Sequence, residues 1–327
     1  MVAIRRILVA VKDAGARQLP AVTKAAQLAA AFGARLELFH DITTTLYTGF
    51  PGGIASDVRS FEREHRAARL DQLESIAARL RRRGLQVSVA AEWDYPAHEA
   101  IVRRAMATKA DLIVAEHHHG RHRMTWLLSA TDWELLRMSP IPVLLVKSRR
   151  PYRKPVVLAA VDPRRAFAKP ARLDARILHI GAAITEAVRG KLHAVHACAG
   201  IPGGTFAAPV IDASLAAEFQ RKAAASARVA FDRALRSTAI PASRRHLVGG
   251  DPVDAIAELS RNIGSAIVVF GTVSRSGVKG VFIGNTAERL LDRLRSDLLV
   301  VKPPHFPIRV PRAQRGVRVA PAPVPMP

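Results

Sequence analysis

The stretch Asp111-Leu-Ile-Val-Ala-Glu116 has a counterpart of similar apolar pattern 155 residues later, Ala266-Ile-Val-Val-Phe-Gly271. The same spacing relates Lys147 to Lys302, so one register holds over the whole segment from 111 to 147. Both stretches are apolar runs of the length of a buried strand, and each ends at a polar residue or a glycine. A repeat of this length predicts a tandem duplication of one domain.

The two halves also begin alike, with Ile7-Leu-Val-Ala-Val11 and Val157-Leu-Ala-Ala-Val161. Short β-rich runs then alternate with helical periods, which predicts βαβ units and a parallel sheet. We expect an α/β fold of two tandem, doubly wound, Rossmann-like domains, each with a five-stranded parallel sheet. The expected strands lie near 4–11, 35–40, 86–91, 111–115 and 143–146, then 156–161, 191–196, 244–249, 266–270 and 297–301. The expected helices lie near 20–32, 57–83, 96–107 and 131–138, then 172–188, 212–238, 252–262 and 285–294.

Composition places the domain boundaries. The basic, proline-punctuated run from Ser148 to Pro155 predicts a linker, so the domains are expected at 1–150 and 151–302. Residues 303–327 contain no acid and no apolar period. We expect them to form a basic, Pro-rich, disordered tail.

The chain of 327 residues carries 50 Lys and Arg against 27 Asp and Glu, a formal net charge of +23. This charge favours anionic partners, but only 5% of the residues are aromatic, so stacking on single strands is disfavoured and nucleic acid is expected to bind only non-specifically. The single cysteine, Cys198, excludes an intramolecular disulfide and is typical of a reducing compartment, so we expect a cytoplasmic protein. No apolar run reaches the roughly 18–20 residues of a membrane span, and no membrane partner is expected.

One glycine-rich run follows the repeated strand of the second half and opens a helix. It reads Gly271-Thr-Val-Ser274-Arg275-Ser-Gly277-Val-Lys-Gly280-Val-Phe-Ile-Gly284-Asn285-Thr286. Such a loop leaves backbone N–H groups free to face an anion, and the helix N-terminus adds the positive end of its dipole. The run therefore predicts a phosphate-binding loop.

This loop resembles that of the universal stress protein family, whose nucleotide-binding members carry Gly-x2-Gly-x9-Gly-Ser/Thr here. The tandem arrangement resembles the E-type stress proteins, and the endings Pro-Val-Leu-Leu-Val-Lys147 and Leu-Leu-Val-Val-Lys302 are typical of the family's last strand. The resemblance covers residues 1–302. It implies a fold of the adenine nucleotide alpha hydrolase type, a role in stress response, and ATP as the ligand of the second domain only.

Carried over by position, the resemblance implies a nucleotide site in the second domain. Asp162 matches the acid that contacts adenine or ribose, Gly271 lies on the ribose side, and Gly284 with Asn285 would take the phosphates. Ser274 replaces the second glycine of the motif, which costs about 1–2 kcal/mol if the backbone there is left-handed. Asn285 replaces a hydroxyl but can donate from its amide. The full expected set is Asp162, Gly271, Ser274, Arg275, Gly284, Asn285 and Thr286.

The first half departs further from the family's motif. Glu116, His119 and Ser129 stand where the motif has glycines, and Lys12 replaces the acid. A carboxylate and crowding side chains disfavour a nucleotide there. We expect this half to be degenerate for ATP and suited to another ligand or to packing.

Two other motifs have structural interpretations. The histidines of the first-half loop are too close in sequence to converge readily on one metal ion, so a solvated loop is favoured over a metal site. His179-Ile-Gly181 is similar to a signature of class I synthetases but lies within a helical period, where helix packing is favoured. The loop histidines are His117, His118, His119 and His122.

The residues and the resemblance together predict a binding and regulatory protein with no catalytic residues and no metal site, although slow ATP hydrolysis stays open. Its partners would be a nucleotide or other anionic ligand and a protein of unknown identity. The two halves are expected to form a pseudo-dimer within one chain, and a homodimer of that pair stays open.

Two alternative functions remain. One is a scaffold for an apolar ligand or a protein partner that has lost ATP binding. The other is a basic protein that associates non-specifically with nucleic acid.

Overall fold

The computed structural model describes residues 4–48, 55–117, 130–163, 172–198, 213–272, 289–290 and 293–321. The chain divides into two compact units. The first unit comprises the described residues up to Pro151 together with those from Pro307 onward, and the second unit runs from Tyr152 to Phe306.

In the first unit, the strands and helices alternate as the sequence predicts, except that a strand not expected from the sequence, β3, follows β2 directly. The strands are β1 (Arg6–Ala10), β2 (Arg35–Ile42), β3 (Thr45–Thr48), β4 (Val87–Trp93), β5 (Leu112–Glu116) and β6 (Val143–Val146). The helices are α1 (Pro20–Phe32), α2 (Ala55–Arg81), α3 (Ala97–Ala107) and α4 (Ala130–Met138).

The second unit follows the same order without a described counterpart of β3, and the helix expected near 285–294 lies mostly outside the described residues. Its strands are β7 (Val156–Ala160), β8 (Lys191–Cys198), β9 (Arg245–Gly249), β10 (Ser265–Gly271) and β11 (Asp297–Val301). Its helices are α5 (Leu173–Ala187), α6 (Ala213–Ala234) and α7 (Pro252–Asn262), with a short 3-10 turn at Ala242–Arg244.

Each unit folds its five main strands into a parallel sheet. The strand order is β4-β2-β1-β5-β6 in the first unit and β9-β8-β7-β10-β11 in the second. The central strands are buried almost throughout, as expected when helices cover both faces of a parallel sheet. The predicted doubly wound α/β architecture is therefore confirmed in both units.

Strand order also fixes where a ligand site can form. The order reverses between β1 and β5 in the first unit and between β7 and β10 in the second. The register pairs Ala10 with Ala115 and Ala160 with Phe270, so the neighbouring strands end at the same edge of each sheet. Crevices at such a reversal, outside the carboxyl ends of the strands, are where open α/β sheets bind ligands.

Local signals set the helix positions. Asp251 caps α7 by accepting hydrogen bonds from the N–H groups of Val253 at 2.9 Å and Asp254 at 3.3 Å, and Pro252 occupies the first helical position. Gly181 lies on the face of α5 that contacts the sheet, where a Cβ atom would be 3.3 Å from Cδ1 of Leu192. The packing interpretation of His179-Ile-Gly181 agrees with this contact.

The segment after Phe306 differs from the expected disordered tail. Strand β12 (Arg318–Pro321) pairs in parallel with β3, the N–H of Arg315 donates to Asp94 at 2.9 Å, and Val310 is buried. Although the segment has no apolar period, acidic side chains of the first unit bind its polar groups. The expectation of disorder is therefore wrong for residues 307–321.

Among the residues that the structure describes, no helix combines the length and the apolar character needed to cross a membrane.

Candidate functional site

The carboxyl edge of the second sheet brings together residues from β7, β10 and β11. Asp162 follows β7 by two residues, Gly271 ends β10, and Lys302 directly follows β11. The parallel register of these strands places all three residues at one edge. Two of them, Asp162 and Gly271, belong to the site that the sequence predicts.

A buried lysine lies at this edge. Nζ of Lys302 donates to Oγ1 of Thr272 at 2.6 Å, and the two residues are 3% and 2% exposed. The ammonium group also lies 4.6 Å from the centroid of the Phe306 ring, within the range of a cation–π contact. Lys302 thus places its side-chain nitrogen next to the residue at which the glycine-rich run leaves β10.

A second basic side chain approaches from α5. NH1 of Arg176 donates to the backbone carbonyl of Lys302 at 3.0 Å. Burial lowers the pKa of Arg176, yet a guanidinium stays protonated at physiological pH. Sequence reasoning missed Arg176 and the role of Lys302, because neither residue belongs to the family's loop motif.

Asp162 has a polar neighbourhood on the side of β8. Its backbone N–H donates to Oδ1 of Asp174 at 3.2 Å, and its own Oδ1 lies 3.9 Å from Nδ1 of His196. The side chain of Asp162 is 33% exposed, whereas that of His196 is 2% exposed. Asp162 therefore presents a carboxylate at the surface of the edge, above a buried imidazole.

Packing explains the glycine at position 271. A Cβ atom there would lie 2.7 Å from Cδ2 of Leu173 and 2.9 Å from Cδ1 of Ile177. Helix α5 therefore comes closer to the end of β10 than a larger residue would allow. The expected approach of Gly271 to a ribose stays a prediction.

The other predicted site residues are not among those described. Ser274, Arg275, Gly284, Asn285 and Thr286 all lie outside the described part of the chain. In the first half the same is true of Ser129 and of His118, His119 and His122.

The first unit has a cavity of about 410 Å³ at the corresponding edge. Its volume is in the range of small-molecule sites. Three cationic side chains, from Lys12, Arg17 and Arg149, line it together with the acids Asp13 and Glu116. Sequence reasoning noted Lys12 and Glu116 and placed Arg149 in the basic linker, but it missed Arg17, which no motif marks. The remaining lining residues are Ala10, Val11, Ala16, Gln18, Leu19, Ala21 and Val22.

Two titratable residues end β2 at this edge. Nδ1 of His40 donates to the carbonyl of Val11 at 2.7 Å, and burial lowers the pKa of His40. Burial also raises the pKa of Asp41 to about 7. The hydrogen bond from its own backbone and the positive charge of Lys12 lower this pKa, whereas the negative charge of Asp94 raises it further. Asp41 therefore changes its charge close to neutral pH.

His117 is the member of the histidine-rich loop that the structure describes. It is 6% exposed, and its Nδ1 lies 3.3 Å from Oδ2 of Asp132 on α4. Within the described ranges, no group of three or more His, Cys, Asp or Glu side chains is arranged to hold a metal ion.

Sequence comparison identifies relatives over both halves. A model of the universal stress protein family matches residues 3–147 and 157–302. Universal stress protein E of Escherichia coli K12 is 29% identical over 226 residues, which cover 68% of this chain and 70% of that protein. The universal stress protein E of Photorhabdus laumondii is 23% identical over 303 residues, covering 91% of this chain and 95% of that protein.

Solved structures resemble the fold over most of its length. A protein of unknown function from Pseudomonas aeruginosa PAO1 matches 92% of this chain and 94% of its own, with a TM-score of 0.70 and 26% identity. A universal stress protein from Archaeoglobus fulgidus matches 91% of this chain and 98% of its own, with a TM-score of 0.60 and 16% identity.

Proposed function

The chain belongs to the universal stress protein family, in its tandem form, and on this premise we propose that it is a stress-response binding protein whose second unit holds an adenine nucleotide. The ligand would lie at the carboxyl edge of the second sheet, beside the reversal of strand order between β7 and β10. A cytoplasmic location is part of the proposal, since a single cysteine suits a reducing compartment.

The observation that carries this proposal is the pair of basic side chains near the start of the glycine-rich run. Lys302 is buried there against Thr272, and Arg176 donates to the carbonyl of Lys302. The guanidinium of Arg176 would attract a phosphate on the neighbouring loop, because electrostatic attraction is stronger where water is partly excluded, and the side-chain nitrogen of Lys302 would offer it a hydrogen-bond donor. The glycine-rich sequence itself supplies free N–H groups.

The proposed contacts follow the family's motif. Asp162, whose carboxylate is partly exposed at the edge, would accept hydrogen bonds from adenine or ribose. Gly271 would lie on the ribose side. The phosphates would contact Gly284, Asn285 and neighbouring residues of the run, which are Ser274, Arg275 and Thr286.

The experiment is a calorimetric titration of the full chain with ATP. Gly284→Asp is expected to abolish the heat of binding at millimolar ATP, because it adds both a side chain and a negative charge beside the phosphates. Ser129→Asp changes the corresponding position of the first half and serves as the matched control. It is expected to leave the affinity unchanged.

Each other outcome contradicts part of the proposal. Equal losses in the two variants would refute the assignment to the second unit. Unchanged binding in Gly284→Asp would place ATP elsewhere, for which the cationic cavity of the first unit is the structural candidate. Absence of heat with the wild-type chain would favour the alternative of a scaffold for a non-nucleotide ligand.

A further inference from the structure

The segment 307–321, called here the C-terminal segment, crosses the first unit and contacts it through polar groups. NH1 of Arg103 donates to the carbonyl of Pro311 at 2.8 Å, and Nε2 of Gln314 donates to Oε2 of Glu92 at 2.8 Å. Val310 supplies a buried apolar contact. The last residues of the segment form β12 beside β3.

Arg315 makes several polar contacts with the first unit. Its backbone N–H donates to Oδ1 of Asp94 at 2.9 Å, and its NH2 group donates to both carboxylate oxygens of Glu99, at 2.9 and 3.0 Å. The guanidinium carbon lies 5.7 Å from the centroid of the Tyr95 ring. A guanidinium fits this combination of a carboxylate and an aromatic face, which an ammonium group satisfies less well.

The receiving site also contains ion pairs of its own. Asp94, Glu99 and Arg103, called here the arginine cradle, are 1%, 8% and 8% exposed. Nε of Arg103 donates to Asp94 at 2.8 Å, and its NH1 lies 3.3 Å from Glu99. Two carboxylates face one guanidinium, so the cradle carries a formal charge of −1 that a second cation neutralises.

The same internal bonds limit the free-energy cost of releasing the segment. If Arg315 leaves, Asp94 still accepts from Arg103 and from the N–H of Tyr95, and Glu99 still accepts from Arg103. Removing a partner costs most when it strands a buried polar group. Each acid keeps one partner here, whereas Oε1 of Glu99 loses its bond to Arg315 and NH1 of Arg103 loses the carbonyl of Pro311. The Arg315 side chain is itself 44% exposed, and a two-stranded pair such as β3 and β12 is marginally stable on its own.

We propose that the C-terminal segment is an intramolecular ligand that docks reversibly in the arginine cradle of the first unit. Docking hides the cradle from other arginine-bearing segments, and release exposes it. The cradle is thus a binding site for an extended peptide that carries arginine, filled in the same chain by Arg315. This assignment does not depend on nucleotide binding.

Hydrogen exchange measured by mass spectrometry on the full chain tests the docking. Arg315→Ala is expected to speed exchange of the amides in 45–48 and 318–321 about tenfold, which corresponds to the loss of charged hydrogen bonds. Arg312→Ala removes an exposed arginine of the same segment and is the matched control, expected to leave these rates unchanged. High salt is expected to speed exchange at the same amides in the wild type.

Two results would overturn the docking. Unchanged exchange in Arg315→Ala would show that the cradle does not hold the segment. Faster exchange throughout the first unit would show that the segment is an inseparable part of the fold and not a releasable ligand.

Peptide binding between molecules tests the cradle directly. A fluorescently labelled peptide of residues 307–321 is expected to bind the Arg315→Ala chain and to bind the wild-type chain at least about tenfold more weakly, because there the cradle is filled. A peptide that itself carries Arg315→Ala is expected to bind neither chain. Equal binding of the wild-type peptide to both chains, or to neither, would contradict the proposal.

Discussion

His40 and His196 lie at similar positions in the two units and make the same kind of hydrogen bond. They lie 156 residues apart, each near the end of the second strand of its unit. Nδ1 of His40 donates to the carbonyl of Val11 at 2.7 Å, and Nδ1 of His196 donates to that of Val161 at 3.2 Å. Each imidazole thus joins the ends of two neighbouring strands at the carboxyl edge.

Asp41 gives a prediction about stability and pH. Its folded-state pKa is about 7 against a usual 3.8, so between these values the folded chain holds a proton that the unfolded chain has lost. The free energy of unfolding therefore falls as pH rises through this window. Asp41→Asn removes the cost of ionisation, and at about pH 8 the variant is expected to be more stable than the wild type by up to about 4 kcal/mol.

Urea denaturation at a series of pH values measures this difference. The two proteins should have similar stability near pH 4, where Asp41 of the wild type is protonated when folded. A constant difference across the whole range would show that Asp41 does not titrate in this window.

Helix α5 and strand β10 give a prediction at the scale of elements. Leu173 and Ile177 on the helix occupy the space where a Cβ atom of residue 271 would lie. Gly271→Ala is therefore expected to lower the free energy of unfolding by about 1–3 kcal/mol, the usual cost of overpacking. Chemical denaturation of the full chain measures this cost.

Gly249, at the end of β9, provides the control. A Cβ atom there would meet no atom within 4 Å, so Gly249→Ala is expected to change stability by no more than about 0.5 kcal/mol. If both substitutions cost the same, the close approach of α5 is not the reason for glycine at 271.

Most elements follow from local sequence, with one instructive exception. The apolar runs and the cap at Asp251 predict the main strands and α7 because their signals lie within a few residues. Strand β3 has no such signal. Residues 45–48 become a strand by pairing with residues 318–321, and a partner that far along the chain cannot be identified from either stretch alone.

The formal charge of +23 is a property of the whole molecule. Some of its basic side chains are paired with acids, as where Arg315 and Arg103 meet Glu99, and the net value already counts both members of such pairs. The pseudo-dimer of the two halves within one chain, which the sequence analysis expects, stays a prediction.

The same charge predicts weak, salt-sensitive association with nucleic acid. Binding of the full chain to a DNA duplex, followed by fluorescence anisotropy, is expected to fall linearly on a double-logarithmic plot against salt and to be lost by ~0.2 M. Affinity that persists at ~0.2 M salt would instead favour a specific nucleic-acid function.

The sequence alone determined the duplication, the alternation of strands and helices, and the glycine-rich run on which the nucleotide proposal rests. All of these are patterns within short stretches or repeats of one stretch. The tertiary structure decided what the duplicated pattern does not contain: the packing reason for Gly271, the basic side chains at each edge, and the docked C-terminal segment. Arg315 and Asp94 are 221 positions apart. Such contacts depend on which surfaces the folded units bring together, because no local rule relates residues at that separation.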